Sequence, residues 1–291
     1  MEINKDLISI HAYLCADGYV IKSNNPKYKY FHIGFRNTNL DLLKDFQIKF
    51  YRYFKIKPYL IEGQRCRIGS KEIYNSLTEK FGSFYSYEWK MPELNDQLKK
   101  IWLRSFFDCE AWVTLEKHQN RNIGLDNVNK KGINQIKNAL KEMGINCVLR
   151  YREKQNIYRL YIYGKENIIL YKSEIGFLHP NKLKKLNDAI NDYVDYEWKF
   201  PNDEKKLKSF VLNLLKEKIR IKGSRYIRIF SKEENNLIKL KEGVEKYFGM
   251  SSLVNKRVNG LGTIYYELSI NKKEEIQKLI KLKIIPNILK D

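Results

Sequence analysis

No stretch of the sequence approaches the roughly 18 consecutive apolar residues of a membrane-spanning helix, which excludes a helical membrane protein. The opening residues, MEINKDLISIHAY, do not read as a signal peptide, so a soluble cytoplasmic chain is expected. Cysteine is scarce and scattered. Cys15, Cys66, Cys109 and Cys147 share no CxxC spacing, which supports neither a zinc site nor a disulfide framework, and they read as reduced, packed residues. The histidines His11, His32, His118 and His179 likewise fall at no metal-ligand spacing. Acidic residues are in the minority, 34 against 55 Lys and Arg, and the net charge of +21 exceeds what solubility requires. Such an excess implies a polyanionic partner, because clustered Lys and Arg gain affinity by releasing counterions from phosphates. Nucleic acid is the first candidate, and a length of 291 residues allows two domains or one extended one.

What the chain does contain is a repeat. Ile68-Gly69-Ser70-Lys71-Glu72 matches Ile162-Tyr163-Gly164-Lys165-Glu166 and again Ile270-Asn271-Lys272-Lys273-Glu274, with starts 94 and then 108 residues apart. The run Tyr87 to Pro92 recurs as Tyr196 to Pro201, and each proline closes one unit and opens the next. The run Ile33 to Asn39 aligns with Ile123 to Asn129. These boundaries give three units, residues 1–92, 93–201 and 202–291. Each reads as an apolar helix, two alternating segments such as Tyr28 to Phe35, a helix such as Leu40 to Phe54 or Gly132 to Met143, a second hairpin such as Cys147 to Arg152 with Tyr158 to Tyr163, and a closing helix such as Lys71 to Phe81. The order αββαββα is an α+β unit with an antiparallel sheet, one face on helices and the other free.

Side chains alternate along a strand, so the free face follows from parity. Leu160 and Ile162 inward send Arg159, Tyr161 and Tyr163 outward; Leu149 and Tyr151 inward send Arg150, Arg152 and Lys154 outward. In the first unit Ile33 and Ile68 inward leave Tyr30, His32, Arg65 and Arg67 outward. A basic, aromatic face recurring in both units of a strongly basic chain fits a nucleic-acid surface.

Two helices end in acids. Ile10 to Gly18 (IHAYLCADG) places Asp17, and Leu103 to Ala111 (LRSFFDCEA) places Glu110, at matching positions. Small residues stand four apart in each, Ala12 with Ala16 and Ser105 with Cys109, a face along which two helices can approach closely. Packed that way, the helices bring Asp17 and Glu110 together. Two adjacent carboxylates repel unless a cation intervenes, so Mg2+ or another hard divalent ion such as Mn2+ is expected, the site logic of metal-assisted phosphodiester hydrolysis.

At these residues the sequence resembles the LAGLIDADG homing endonucleases, specifically single-chain members with two motifs. The likeness covers residues 1 to about 200; the first copy retains Ala16, Asp17 and Gly18, and the second has Glu110 as its acid and Ala111 in place of the glycine. The resemblance implies a pseudo-two-fold saddle of two antiparallel sheets on double-stranded DNA, a monomer with internal symmetry that cuts both strands of a long target and leaves 3′ overhangs. It implies metal held by Asp17 and Glu110 with the carbonyls of Ala16 and Cys109, and a basic residue near the end of the second strand, here Arg36, beside the scissile phosphate. The repeat partner of Arg36 is Asp126, so the second half departs from the pattern; Lys117, Lys130 or Lys131 could compensate, and Lys117 joins the candidate DNA contacts. Members are often encoded inside introns or inteins; no splicing-type flanks are visible, so an intein is not indicated, which leaves an intron-encoded or a free-standing gene. The alternative is a non-cleaving binder, an intron RNA maturase or DNA-binding regulator.

The third unit keeps the helix and loses the acid. Leu207 to Leu214 overlays Leu103 to Glu110, with Leu214 at the acid's position. Its first hairpin is shortened around Lys222-Gly223-Ser224, and 21 Lys and Arg against 11 Asp and Glu give residues 202–291 a net charge of +10. It reads as a degenerate half-domain that extends the basic surface along DNA or RNA, or as a packing module.

Overall fold

The computed structural model describes residues 1–288 except positions 24, 26, 28, 117–119, 194–196, 223–225 and 260–263. Lys117, His118, Tyr28, Tyr196 and the Gly223-Ser224 tip therefore lie outside the described residues. Two compact units are present, Met1–Tyr193 and Val194–Asp291.

The first unit contains two repeats. The first repeat runs α1 (Lys5–Cys15), β1 (Gly18–Lys22), β2 (Phe31–Arg36), α2 (Leu40–Phe54), β3 (Tyr59–Ile61), β4 (Arg65–Gly69) and α3 (Lys71–Phe81). The second runs α4 (Asp96–Glu110), β5 (Ala111–Leu115), β6 (Arg121–Asn127), α5 (Lys130–Glu142), β7 (Cys147–Arg152), β8 (Ile157–Tyr163), α6 (Lys165–Glu174) and α7 (Pro180–Asn191). Repeated caps start the helices at repeated places. Asn4 and Asn95 accept hydrogen bonds from backbone N–H groups of the first turns of α1 and α4, and Asn39 and Asn129 do the same for α2 and α5, satisfying donors that a helix start leaves unpaired. Helix α7 has no counterpart in the first repeat, where α4 follows α3 with no helix between. Its start is capped from a distance: Asp108 of α4 accepts from the backbone N–H groups of Leu178 (3.0 Å) and His179 (2.9 Å), and Pro180 occupies the first turn.

Both sheets are antiparallel and have equivalent strand orders, β1-β2-β4-β3 and β5-β6-β8-β7. Their inner faces carry Val20, Ile33, Phe35 and Cys66 in one and Val113, Ile123, Leu125, Leu160 and Ile162 in the other, all buried against the helices in one core. Parity places Arg159, Tyr161 and Tyr163 opposite buried Leu160 and Ile162, as read from the sequence. Two expectations on β7 are corrected. Tyr151 is 49% exposed because it lies near the strand's free end, where it packs on Tyr158 and its hydroxyl donates to Asn156. Lys154 is exposed in the 3-10 turn Glu153–Gln155, after the strand has ended, so alternation does not govern it.

The second unit repeats the pattern with α8 (Glu204–Lys218), β9 (Arg220–Lys222), β10 (Tyr226–Ser231), α9 (Glu234–Phe248), β11 (Leu253–Val258), β12 (Ile264–Ile270) and α10 (Lys273–Lys281), its sheet ordered β11-β12-β10-β9. It has its own core, built on Val211, Leu215, Ile227, Ile229, Leu240 and Leu268. Leu214, at the position of the missing acid, is buried in that core. Among the described residues no helix is long and apolar enough to cross a membrane.

Candidate active site and nucleic-acid interface

Helices α1 and α4 pack against each other through small and paired polar groups. The Ser9 and Ser105 hydroxyls lie 2.6 Å apart across the contact, both buried. Two residues further along α1, the indole N–H of Trp102 donates to Nδ1 of fully buried His11 at 2.9 Å, and burial pushes the His11 pKa down to about 3, so the ring is neutral and accepts. Ala12 is fully buried, as the small-residue face requires.

Both chains of α1 and α4 then turn into the first strand of a sheet at an acid. Helix α1 ends at Cys15 with Ala16 as its cap, so Asp17 stands just beyond the helix, whereas Glu110 is the last residue of α4. Gly18 is therefore not a left-handed helix cap. It opens β1 so close to α1 that a Cβ would stand 2.4 Å from the Leu14 Cα, whereas Ala111 starts β5 in extended backbone at φ −85° and tolerates its methyl.

The two acids share one electrostatic site. Burial and then the Asp17 charge push the Glu110 carboxyl up to about 7, with Asp126 adding to the rise and Lys182 opposing it. Burial also raises Asp17, against hydrogen bonds from Asn37 and the Cys109 thiol and the charge of Lys182. The Asn37 amide donates to the Asp17 carboxylate at 3.0 Å, and the backbone N–H of Arg36 donates to the Asp17 carbonyl at 3.1 Å. Cys109 thus meets Asp17 through its side chain, in addition to the carbonyl that the resemblance assigns to metal. Among the described residues no three His, Cys, Asp or Glu side chains converge on a cation position. A divalent ion at Asp17 and Glu110 would need carbonyl and water oxygens to complete its shell, and hard oxygen donors are what Mg2+ and Mn2+ take.

Lys182, on α7, was not singled out by sequence. Its ammonium donates to the carbonyls of Asp108 (2.6 Å), Cys109 (3.0 Å) and Phe107 (3.3 Å), the last turn of α4. Asn37 was also missed, although its place in the run shared by Ile33 to Asn39 and Ile123 to Asn129 was a signal.

The outward faces of the two sheets differ in charge. Arg36 on β2 stands opposite Arg65 on β4 in the register; the equivalent pair in the other sheet is Asp126 and Arg159. Arg159 grips Asp126 through two 2.6 Å bonds, so this candidate contact is internally neutralised. Arg65 has its Nε buried without a partner, and Arg36 is exposed with its guanidinium 5.2 Å from the Tyr19 ring centre. Tyr19 lies across Gly34 and Trp112 across Gly124, where a Cβ would meet the rings at 2.4 and 2.3 Å, and Arg159 stands 5.4 Å from the Trp112 ring. Tyr30 stacks on His32 at 4.5 Å; Arg67 and Tyr161 are half-buried, and Arg150 and Arg152 are exposed.

Residues 97–176, covering α4 through α6, match the family model described as LAGLIDADG-like domain. A LAGLIDADG-like domain is thus present in the second repeat. The chain is 27% identical over 298 residues to a replication factor C small subunit of Methanocaldococcus jannaschii, a match that takes in 98% of the chain and 14% of that protein. It is 24% identical over 224 residues to the glutamine–fructose-6-phosphate aminotransferase of the same organism, over 71% of the chain and 20% of the enzyme. The chain thus spans a fifth or less of the length of these relatives. Among solved structures, I-DmoI in complex with DNA and Ca is 16% identical, with a TM-score of 0.47 over 63% of this chain and 99% of that one. Full-length DUF199/WhiA from Thermatoga maritima is 13% identical, with a TM-score of 0.46 over 72% and 67%.

Proposed function

We propose that this protein is a site-specific double-strand DNA homing endonuclease of the LAGLIDADG family that hydrolyses phosphodiesters with a divalent metal, Mg2+ or Mn2+. The observation that carries the reading is the shared site of Asp17 and Glu110 at the ends of two packed helices, each raised by burial and Glu110 further by Asp17. A buried acid pair held in register by Ser9, Ser105, His11 and Trp102 is costly to keep, and a cation is what makes it useful.

Asp17 and Glu110, with the carbonyls of Ala16 and Cys109, would hold the ion. Bound there, the ion supplies an activated water and charge stabilisation at the leaving oxygen. The chain's own residues do the rest. Asn37 fixes the orientation of the Asp17 carboxylate. Arg36 and Arg65 present guanidiniums on the first sheet's outward face, suited to a phosphate in bidentate geometry. Tyr30, His32, Arg67, Arg150, Arg152, Lys154 and Tyr161 form the wider DNA-binding surface, and residues 202–291 carry a net charge of +10 of their own, from 21 Lys and Arg against 11 Asp and Glu, that attracts the same polyanion. The match to limited stretches of two relatives with unrelated names supports a segment that travels independently of its host's activity.

A second reading, a non-cleaving binder such as an intron RNA maturase or DNA-binding regulator, is favoured by one observation: the second half's Arg159 is neutralised by Asp126, where the first half has Arg36 and Arg65, neither ion-paired among the described residues. Incubating the full chain with a randomised duplex library in Mg2+ and sequencing the cut ends separates the two. The endonuclease yields one long consensus with 3′ overhangs, and enrichment by binding without cut ends supports the binder.

A further inference from the structure

The ammonium of Lys182 sits on the Cys109 carbonyl, the position that the metal reading gives to the ion.

We propose that Lys182 is a built-in counter-cation that occupies the Cys109 carbonyl until a divalent ion takes that carbonyl over, so that loading the site releases the lysine. The proposal rests on the metal reading above. Three observations carry it. The ammonium is bonded to three successive carbonyls of α4, Phe107, Asp108 and Cys109, at 3.3, 2.6 and 3.0 Å, and the Cys109 carbonyl is the one assigned to the ion. No carboxylate of a described residue lies within ion-pair distance of Lys182, although Asp17, Glu110 and Asp108 all act on its charge; it is held by carbonyl dipoles in the middle of an acidic site. Its helix is tethered independently, because Asp108 caps the start of α7, so the lysine can leave its carbonyls while α7 stays docked. Among the described residues only the second repeat has such a helix, so the device is an addition to the repeat and not part of its common plan. A lysine that merely caps the end of α4 would stay in place when metal binds.

The test is amine footprinting of the wild-type full chain with an acetylating reagent and peptide mass spectrometry, with and without Mn2+, alongside calorimetric titration of Mn2+ into wild type and Glu110→Gln. Lys49, bonded to Ser9 and Asp45 away from the acids, is the internal reference. The expected result is a severalfold rise in Lys182 acetylation on adding Mn2+, absent in Glu110→Gln, with Lys49 unchanged. Mn2+ binding that leaves Lys182 acetylation unchanged or lowers it overturns the proposal and leaves the metal reading standing. Failure of the wild type to bind Mn2+ overturns both. Lys182→Met is expected to bind Mn2+ about tenfold more tightly, since the ammonium no longer has to be displaced from its carbonyls; equal or weaker binding counts against displacement.

Discussion

Replacing Glu110 by Gln is expected to stabilise the metal-free protein, and only on the alkaline side. Burial and Asp17 hold the Glu110 carboxyl at about 7 in the folded chain against an ordinary value of 4.5. A carboxyl raised in the folded state contributes stability that is fully present below its unfolded value and is lost as the pH rises through its folded value. The wild type therefore loses stability between about pH 4.5 and 7. At about 1.4 kcal/mol for each tenfold difference in proton affinity, the interval between 4.5 and about 7 corresponds to about 3 kcal/mol. Gln keeps the shape and cannot ionise. Urea denaturation in EDTA, followed by tryptophan fluorescence, should give equal stability for wild type and variant near pH 4 and a gap of about 3 kcal/mol in favour of the variant at pH 8. Trp89, Trp102 and Trp112 report the first unit and Trp198 the second, so the gap belongs in the transition dominated by the first three. Saturating Mg2+ should close the gap from the wild-type side, because an ion that binds only the folded state adds stability by mass action. A gap that does not change with pH, or a variant less stable at pH 8, would refute the electrostatic account of the acid pair.

Other outcomes follow from single contacts. Asp108→Ala removes the carboxylate that caps α7, and urea denaturation should show a loss of about 1–2 kcal/mol. Gly18→Ala drives a Cβ to 2.4 Å from backbone and should cost about 3 kcal/mol, whereas Gly34→Ala only displaces the Tyr19 ring and should cost less than half of that by the same measurement. Asp126→Asn frees Arg159 for phosphate; anisotropy titrations on duplex DNA should show tighter binding and a salt slope steeper by about 1.

The sequence was most informative where local rules decide. The bounds of α2 and α3 coincide with the segments read from spacing, because Asn39 and Ser70 cap them and the apolar positions recur with helical period. Strand parity gave the outward faces of β4 and β8 for the same reason. It failed at Tyr151 and Lys154, where the strand's end, invisible in a period-two pattern, decides exposure. Partners across the sheet were less legible: parity says that Asp126 and Arg159 share a face, but only the register of β6 on β8 sets them opposite each other. The acids were legible because the repeat aligns them and the third copy lacks one. Lys182 was not, since it reaches the site from α7, a helix the repeat does not contain, across more than 70 residues of chain.

The central claim is that Asp17 and Glu110 form a metal-dependent cutting centre, and cleavage of the selected target tests it most directly. On a plasmid carrying that target, the wild type in Mg2+ should produce linear DNA, while Asp17→Asn and Glu110→Gln should retain target affinity within a few fold and cut neither strand at a measurable rate. Linear product from the Asp17→Asn protein at a rate near that of the wild type would contradict the account.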